Sequence, residues 1–353
     1  MSKYNFWLNN VNKLEEAIIE DFREKAMSLP DDLSEEQIKD LDPALFQFIN
    51  NDFKEAERVG YSNYSYWGST IKMFFKNKVG RFTFFVLIAL MGFAFIQQFL
   101  PGQLDPHFIH DDLTTFPPRF YRNIPPQFFD GAFFLGTNAI GQDLWARIWE
   151  GTRNSLILGL SVAGISMTFG IMFGLLWGYV RQLDFLFTEF YNIINHIPLT
   201  LVLILASMLF GASVPVLILA MSFSAWIGHA HGIRNLTLIF RDREFNLASR
   251  CLGTNVFTVI GRNLLPQMVS VIMLRMALAI PAAITAEVFI SYLGLGISQS
   301  TPTLGNLLEM ARPAMRAHPY QLLFPALVLS VISMSFYFAG NAFSDSADPR
   351  NHV

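Results

Sequence analysis

The chain has 353 residues, of which 52% are hydrophobic and only 15% are charged. Because soluble domains carry roughly 25% charged residues, this composition, with its 35 phenylalanines, indicates that much of the chain is solvated by lipid. The single cysteine, Cys251, excludes an internal disulfide and any cysteine-based zinc or redox motif. We expect it to be a small buried apolar residue.

Residues 1–60 have the character of an acidic, soluble extension, which we place in the cytoplasm. Val11, Leu14, Ile18 and Phe22 recur at helical spacing and favour a short amphipathic helix. A solvated acidic tail is the alternative. The first long apolar run starts only at Phe82, so it should act as an uncleaved anchor.

Residues 61–81 are predicted to form an amphipathic helix in the membrane interface. Aromatic residues of this segment suit the boundary between polar and apolar phases, and basic residues follow on the cytoplasmic side. The aromatic residues are Tyr64, Tyr66 and Trp67, and the basic ones are Lys72, Lys76, Lys78 and Arg81.

Six apolar runs predict six transmembrane helices. At about 1.5 Å per residue each run can cross a hydrocarbon core of about 30 Å, and none alternates as a barrel strand would. Since lipid leaves helices as the remaining way to satisfy backbone groups, the fold class is an all-α polytopic membrane protein. The predicted spans are 82–100, 154–180, 188–210, 213–232, 268–293 and 319–341, the last five within a core at 154–341.

The distribution of lysine and arginine predicts that both termini are cytoplasmic. Basic residues concentrate before the first span, after the second and between the fourth and fifth, whereas the loop 101–153 mixes acids with arginines. By the positive-inside rule that loop is extracytoplasmic and the tail 342–353 is cytoplasmic.

The polar segment 233–267, between the fourth and fifth spans, is too regularly patterned for a simple loop. Asp242 is a good N-cap residue and Glu244 places an acid in the first turn. Gly253 stands where a helix ends in the left-handed conformation. We therefore predict a short capped helix, followed by a second helix that starts near Val256.

This short helix carries an apolar stripe. Phe245, Ala248 and Leu252 fall on one face, with Leu247 beside them. An exposed stripe with basic flanks is typical of a helix that docks into a groove of a partner protein.

At this point the sequence resembles the "EAA" loop of ABC-importer permeases. Leu247, Ala248 and Ser249 occupy the Glu-Ala-Ala positions and Gly253 the glycine. Nine residues, 254–262, then precede a short stretch that ends in Leu265-Pro266. Leu247 departs from the pattern because it replaces an acid, so charge pairing at this loop would rest on neighbouring residues.

Further segments extend the resemblance to the dipeptide, oligopeptide and nickel permeases. Residues 135–156, 286–308 and 346–350 match that subfamily, although Asn138 stands where an acid is usual. Residues 64–69 and 246–254 look most like oligopeptide permeases of Gram-positive type, with the C-type subunit as the nearest match. The resemblance implies the type I ABC-importer permease fold.

The resemblance also implies the partners of this chain. They are a second homologous permease, two ATPase subunits that bind ATP and Mg, and an extracellular lipoprotein that delivers peptides; lipid surrounds the spans, and nucleic acid is not expected. The sequence contains no G-x-x-x-x-G-K-[ST] motif, so ATP should bind to the partners. The residues predicted to couple this chain to the ATPases are Asp242, Glu244, Phe245, Leu247, Ala248, Ser249, Leu252 and Gly253.

Three residues in the spans are candidates for the translocation path. Glu287 is an intramembrane carboxylate, which usually faces a cavity or a polar partner; a helix-packing hydrogen bond or a place near the outer rim is the alternative. Asn195 and His196 precede Pro198 in the third span. They either line the path or make interhelical hydrogen bonds near a proline kink.

Metal and enzyme sites are not expected. His107 and His110 lie in the outer loop, and His229 and His231 point to different sides of a helix. The sequence shows no nucleophile pattern of an enzyme. A nickel permease of the same family and a secondary transporter remain the competing functions; the first would need a ligand cluster and the second would need ion-coupling charges.

Overall fold

The computed structural model describes residues 66–111, 120–128, 132–298 and 300–347. The predictions for residues 1–60, for the start of the interfacial helix and for the end of the tail lie outside these ranges.

The interfacial segment and the first span are separate helices, α1 at Tyr66–Lys76 and α2 at Lys78–Ile96. Asn77 divides them, because its side-chain oxygen accepts hydrogen bonds from the backbone N–H groups of Val79 and Gly80 at 3.0 and 3.2 Å. This N-cap starts α2 ahead of the predicted residue 82. A 3₁₀ turn at Gln97–Phe99 ends the span.

Helix α3, Leu144–Tyr179, begins well before the predicted residue 154. Asp143 caps it by accepting a hydrogen bond from the backbone N–H of Ala146 at 2.8 Å. The polar first turns of α3 therefore belong to the outer segment, which the predicted boundary placed wholly in a loop.

The predicted third span, 188–210, is broken near the expected proline kink, and its first helix begins earlier than predicted. The structure has two helices, α4 at Arg181–Asn195 and α5 at Leu199–Phe210, bent by 74° at the break between them. Pro198 explains the break, since it lacks a backbone N–H and disfavours helical geometry at the preceding residue.

Helix α6, Val214–Arg241, extends past the predicted end at residue 232 into the polar segment. The short helix α7 follows at Glu244–Cys251. Helix α8 at Val256–Val259, a π-helical turn at Ile260–Leu264 and helix α9 at Leu265–Tyr292 then form one helical stretch. The fifth span therefore begins as a helix before the predicted residue 268.

Two helices complete the described chain. Helix α10, Leu304–Ala311, follows the fifth span and was not predicted. Helix α11, Tyr320–Ala347, continues beyond the predicted end at 341, so the first part of the predicted tail is helical. Beside helices, the described residues form one isolated β-bridge, Thr137 to Asp143.

Five described helices are long and apolar enough to cross a membrane, or six if the bent pair α4–α5 counts as one span. The structure therefore confirms a polytopic all-α membrane protein.

Close packing of α3 against α6 holds the centre of the fold. Gly170, Gly174 and Gly178 face α6, and a Cβ atom at Gly174 would lie 2.5 Å from the carbonyl oxygen of Ala230. Glycines at four-residue spacing on one face of α3 therefore let the two helices approach closely. The π-helical turn adds Leu264, and helix α9 adds Met268 and Ile272, to the buried cluster on this side.

Candidate functional site

Asp242 does not cap α7, in contrast to its predicted role. Helix α6 runs on through Arg241, so Asp242 is its C-cap residue, and Arg243 precedes α7 without a side-chain cap among the described residues. The Asp242 carboxylate lies 3.2 Å from the guanidinium groups of Arg241 and Arg250 and 4.0 Å from that of Arg181. Hydrogen bonding to Arg241, and then to Arg250, holds the pKa of Asp242 below its usual value.

Two side chains fasten α7 to the end of α6. Asn246 is fully buried and donates a hydrogen bond to the carbonyl of Phe240 at 2.8 Å. Arg250 donates to the carbonyl of Arg241 at 2.8 Å, and its guanidinium lies over the ring of Tyr179 on α3. These bonds satisfy carbonyls that the last turn of a helix otherwise leaves open. Sequence reasoning missed Asn246, whose signal was a lone amide among apolar residues.

A further bond links α7 to the stretch that re-enters the membrane. The Ser249 hydroxyl donates to the carbonyl of Phe245 at 2.9 Å and accepts from the Asn263 amide at 3.1 Å. Asn263 belongs to the π-helical turn that leads into α9. The third residue of the Leu-Ala-Ser motif thus connects the short helix to the fifth span.

Gly253 has the left-handed conformation that the sequence predicted, with φ of 75°. The backbone N–H of Gly253 donates to the carbonyl of Arg250, and that of Thr254 donates to the carbonyl of Ser249 at 3.1 Å. A Cβ atom at Gly253 would meet no atom within 4 Å. The need for glycine is therefore a backbone requirement, with space around it.

The outer face of this segment is apolar and exposed. Phe245 and Leu247 are nearly half exposed, and Leu252 and Phe257 are 86% and 69% exposed. We call the exposed residues Phe245, Leu247, Ala248, Leu252 and Phe257 the docking surface. Large exposed apolar side chains on a polar segment are typical of an interaction site.

Cys251 lies at the end of α7 and is exposed, so the expectation that it is buried is wrong. Glu244, in the first turn, is exposed as well.

Glu287 is fully buried between α9 and the start of α10. Its Oε1 accepts hydrogen bonds from Ser291 at 2.8 Å and from Thr303 at 2.7 Å. A Cβ atom at Gly305 would lie 2.8 Å from the same oxygen. This environment corresponds to the helix-packing alternative for Glu287.

Asn195 and His196 are exposed at the end of α4, where the chain bends. The His196 ring contacts the carbonyl of Asn192. Neither residue lines a described cavity with Glu287, and their role on the path stays a prediction.

A partly open cavity of about 260 Å³ lies between α3, α5, α6 and α9. Small side chains form most of its wall, and its polar groups are those of Ser166 and His229. The small residues are Ala225, Gly228, Ala279, Ala282, Ala283 and Ala286.

The outer segment 132–143 is ordered by the amide side chains of Asn138 and Gln142. Asn138 Oδ1 accepts a hydrogen bond from the backbone N–H of Gln142 at 2.8 Å, and the two side chains bond to each other at 3.0 Å. Arg147 donates to Gln142 Oε1 at 2.6 Å. Burial raises the pKa of the capping carboxyl of Asp143 to about 6.

No group of three or more His, Cys, Asp or Glu that could hold a metal ion occurs within the described ranges. His107 pairs with Glu150 at 3.3 Å in the outer segment. In α6, His231 stacks on Tyr191 with ring centroids 4.1 Å apart.

Comparison with known proteins gives consistent matches. The family model described as "Binding-protein-dependent transport system inner membrane component" matches residues 170–353. The oligopeptide transport system permease protein AmiD of Streptococcus pneumoniae is 33% identical, over 88% of this chain and 99% of its own length. The dipeptide transport system permease protein DppC of Bacillus subtilis is 31% identical, over 92% and 99%. The oligopeptide transport system permease protein OppC of Haemophilus influenzae is 29% identical, over 86% and 95%.

Proposed function

This chain belongs to the family of binding-protein-dependent transport system inner membrane components, and we propose that it is a transmembrane permease subunit of an ATP-driven peptide importer. Its relatives are named for oligopeptide, dipeptide and glutathione transport, so a nickel permease is not favoured. The observation that carries the proposal is α7, a short helix with an exposed apolar face placed between two apolar helices.

The complete machine in this proposal has the type I ABC-importer architecture. A second permease pairs with this chain, two ATPase subunits bind ATP and Mg, and an extracellular lipoprotein delivers the peptide. Both termini and α7 are cytoplasmic, which agrees with the arginines around α7. This chain itself carries out no chemical reaction.

Coupling follows from how α7 is held. Asn246 and Arg250 bind it to α6, and Ser249 binds it to the turn that leads into α9. When the ATPases close on ATP, a displacement of α7 would therefore move both helices rather than bend a flexible loop. Coupling of this kind needs a linked element with two arrangements.

Cys251 provides the test, because it is the single cysteine and is exposed on α7. With cysteines removed from the other subunits, maleimide should label Cys251 rapidly in the permease pair and at least several-fold more slowly once the ATPases bind. In intact cells a membrane-impermeant maleimide should not reach it.

A chain carrying Cys251→Ser and Ser300→Cys is the matched control. Ser300 is exposed beyond α9, on the side that we assign to the exterior. The rate of maleimide labelling at position 300 should not change when the ATPases bind, and labelling should occur in intact cells. Equal labelling of Cys251 with and without bound ATPases would refute the docking assignment.

A further inference from the structure

Arg275 is a charged residue inside an apolar helix. It lies within α9, Leu265–Tyr292, in the sequence LRMALAI. Charged residues within spans are costly and usually face a bundle interior or a cavity, where they meet a partner. Sequence analysis did not single it out.

The guanidinium of Arg275 packs against α6. It lies on Gly232, where a Cβ atom would come within 2.9 Å of Cζ. Its charge acts on the imidazoles of His229 and His231, on the same part of α6. A side chain at position 232 would therefore displace the guanidinium.

Arg275 differs from the other arginines near α6. Arg234 pairs with Asp184 at 2.7 Å, and Arg250 pairs with Asp242 at 3.2 Å. Arg275 is half-buried, and within the described part of the chain it makes neither an ion pair nor a side-chain hydrogen bond. Its donors are available to an acceptor that comes from elsewhere.

Arg275 also lies at one end of the cavity between α3, α5, α6 and α9. Ala279, Ala282 and Ala286 line that cavity and follow Arg275 by four, seven and eleven residues, which is one face of a helix. On α6 the cavity is lined by His229, one turn before Gly232. The guanidinium of Arg275 therefore lies about one helical turn from the cavity, on the side toward α7.

We propose that Arg275 binds the C-terminal carboxylate of a peptide during its passage, an inference that rests on the proposed function. A guanidinium forms two parallel hydrogen bonds with a carboxylate, and these are strong where water is scarce. Every unmodified peptide has this group, whatever its side chains. The alanines that line the cavity leave space for those side chains. Binding of the carboxylate by Arg275 can therefore be the same for peptides of many sequences.

The test compares tetra-alanine with tetra-alanine amide as substrates of the complete importer in proteoliposomes. Uptake of each is divided by its capture by the binding protein, which removes any preference of that subunit. The native chain should prefer the free acid roughly tenfold, the scale of a charge-assisted hydrogen bond. Arg275→Gln should bring the ratio close to one, and Arg275→Lys should give an intermediate ratio.

Two further variants control the interpretation. Arg316→Gln removes an exposed arginine outside the apolar helices and should leave the preference unchanged. Gly232→Ala keeps the charge but displaces the guanidinium, so it should also lower the preference. Assembly of the complex is measured for every variant, and Arg316→Gln should keep the native rate of basal ATP hydrolysis.

The proposal is overturned if Arg275→Gln transports both substrates with the native ratio, or if it lowers their uptake equally. It is also overturned if Arg275→Gln prevents assembly with the second permease, since Arg275 would then pair with that subunit. Absence of any ATP-dependent peptide uptake by the native complex would instead contradict the proposed function itself.

Discussion

Asn246 shows how one buried amide can determine the behaviour of a surface helix. It is fully buried, and its side-chain amide donates a hydrogen bond to the carbonyl of Phe240 at 2.8 Å. Asn246→Ala removes this hydrogen bond, at about 0.5–1.5 kcal/mol, and loosens α7 from α6, while the backbone N–H of Arg243 still donates to the same carbonyl at 3.2 Å. We expect less peptide imported per ATP hydrolysed, measured in the reconstituted transporter, while ATP hydrolysis continues.

Asn235→Ala is the matched control for Asn246, because Asn235 is an exposed asparagine on α6 whose bond to Arg234 is solvent-accessible. It should keep the native ratio of transport to hydrolysis. If the two variants behave alike, Asn246 has no special part in coupling.

Asp143 makes the outer segment sensitive to pH. Burial raises its folded-state pKa to about 6, above the unfolded value of about 3.9. Between these two pKa values the folded state binds more protons than the unfolded state. The free energy of unfolding therefore falls as pH rises from about 4 to 6, and it stays lower above pH 6. Asp143→Asn keeps the cap on Ala146 and should raise the melting temperature at pH 7 more than at pH 4.5.

Asp105→Asn serves as the comparison for Asp143, since Asp105 is an exposed aspartate of the same outer loop, residues 101–153. It should give the same small change in melting temperature at both pH values. A pH-independent effect of Asp143→Asn would remove the basis of this prediction.

The sequence located some of these residues better than others. Gly253 was found because a helix-ending glycine has a local signature. Asp242 was misassigned because it follows one helix and precedes another, and only the end of α6 decides which of them it caps. Arg275 was missed because one charge barely alters the mean hydropathy of a long apolar run.

At the scale of elements, the contact of α3 with α6 leaves no room for added atoms. A Cβ atom added at Gly174 would lie 2.5 Å from the backbone oxygen of Ala230 and 2.8 Å from Ile233 Cβ. Backbone cannot move aside as a side-chain tip can, so Gly174→Ala should push the helices apart. We expect a loss of stability of about 1–3 kcal/mol, measured by thermal unfolding in detergent.

Gly92→Ala is the control for this packing prediction. Gly92 lies in α2, where an added Cβ meets nothing within 4 Å, so alanine should be neutral or slightly stabilising. Equal destabilisation by the two substitutions would contradict the packing argument, since helix propensity favours alanine at both positions.

Helix existence followed from the apolar runs, but helix ends did not. Asn77 and Asp143 start helices at polar residues outside those runs. Pro198 interrupts an apolar run that is long enough to cross the membrane as a single helix. Helix α10 is too short to give a span signal, and it is positioned by tertiary contacts such as that of Thr303 with Glu287.

At the scale of the whole molecule, the source of energy distinguishes this importer from an ion-driven carrier. A carrier needs a charge in its spans that is free to exchange ions. Glu287 is held by Ser291 and Thr303 in a buried packing contact, which does not suit that role, whereas the exposed apolar face of α7 suits the proposed docking of the ATPases.

We therefore expect peptide uptake by the complete transporter to require ATP and to persist when a protonophore collapses the proton gradient. Proteoliposomes with this chain and its permease partner alone should take up no tetra-alanine under an imposed proton or sodium gradient. The measurement is accumulation of labelled peptide with each energy source in turn. Gradient-driven accumulation without ATPases would show that α7 has another purpose, and would place the chain's mechanism outside that of its family.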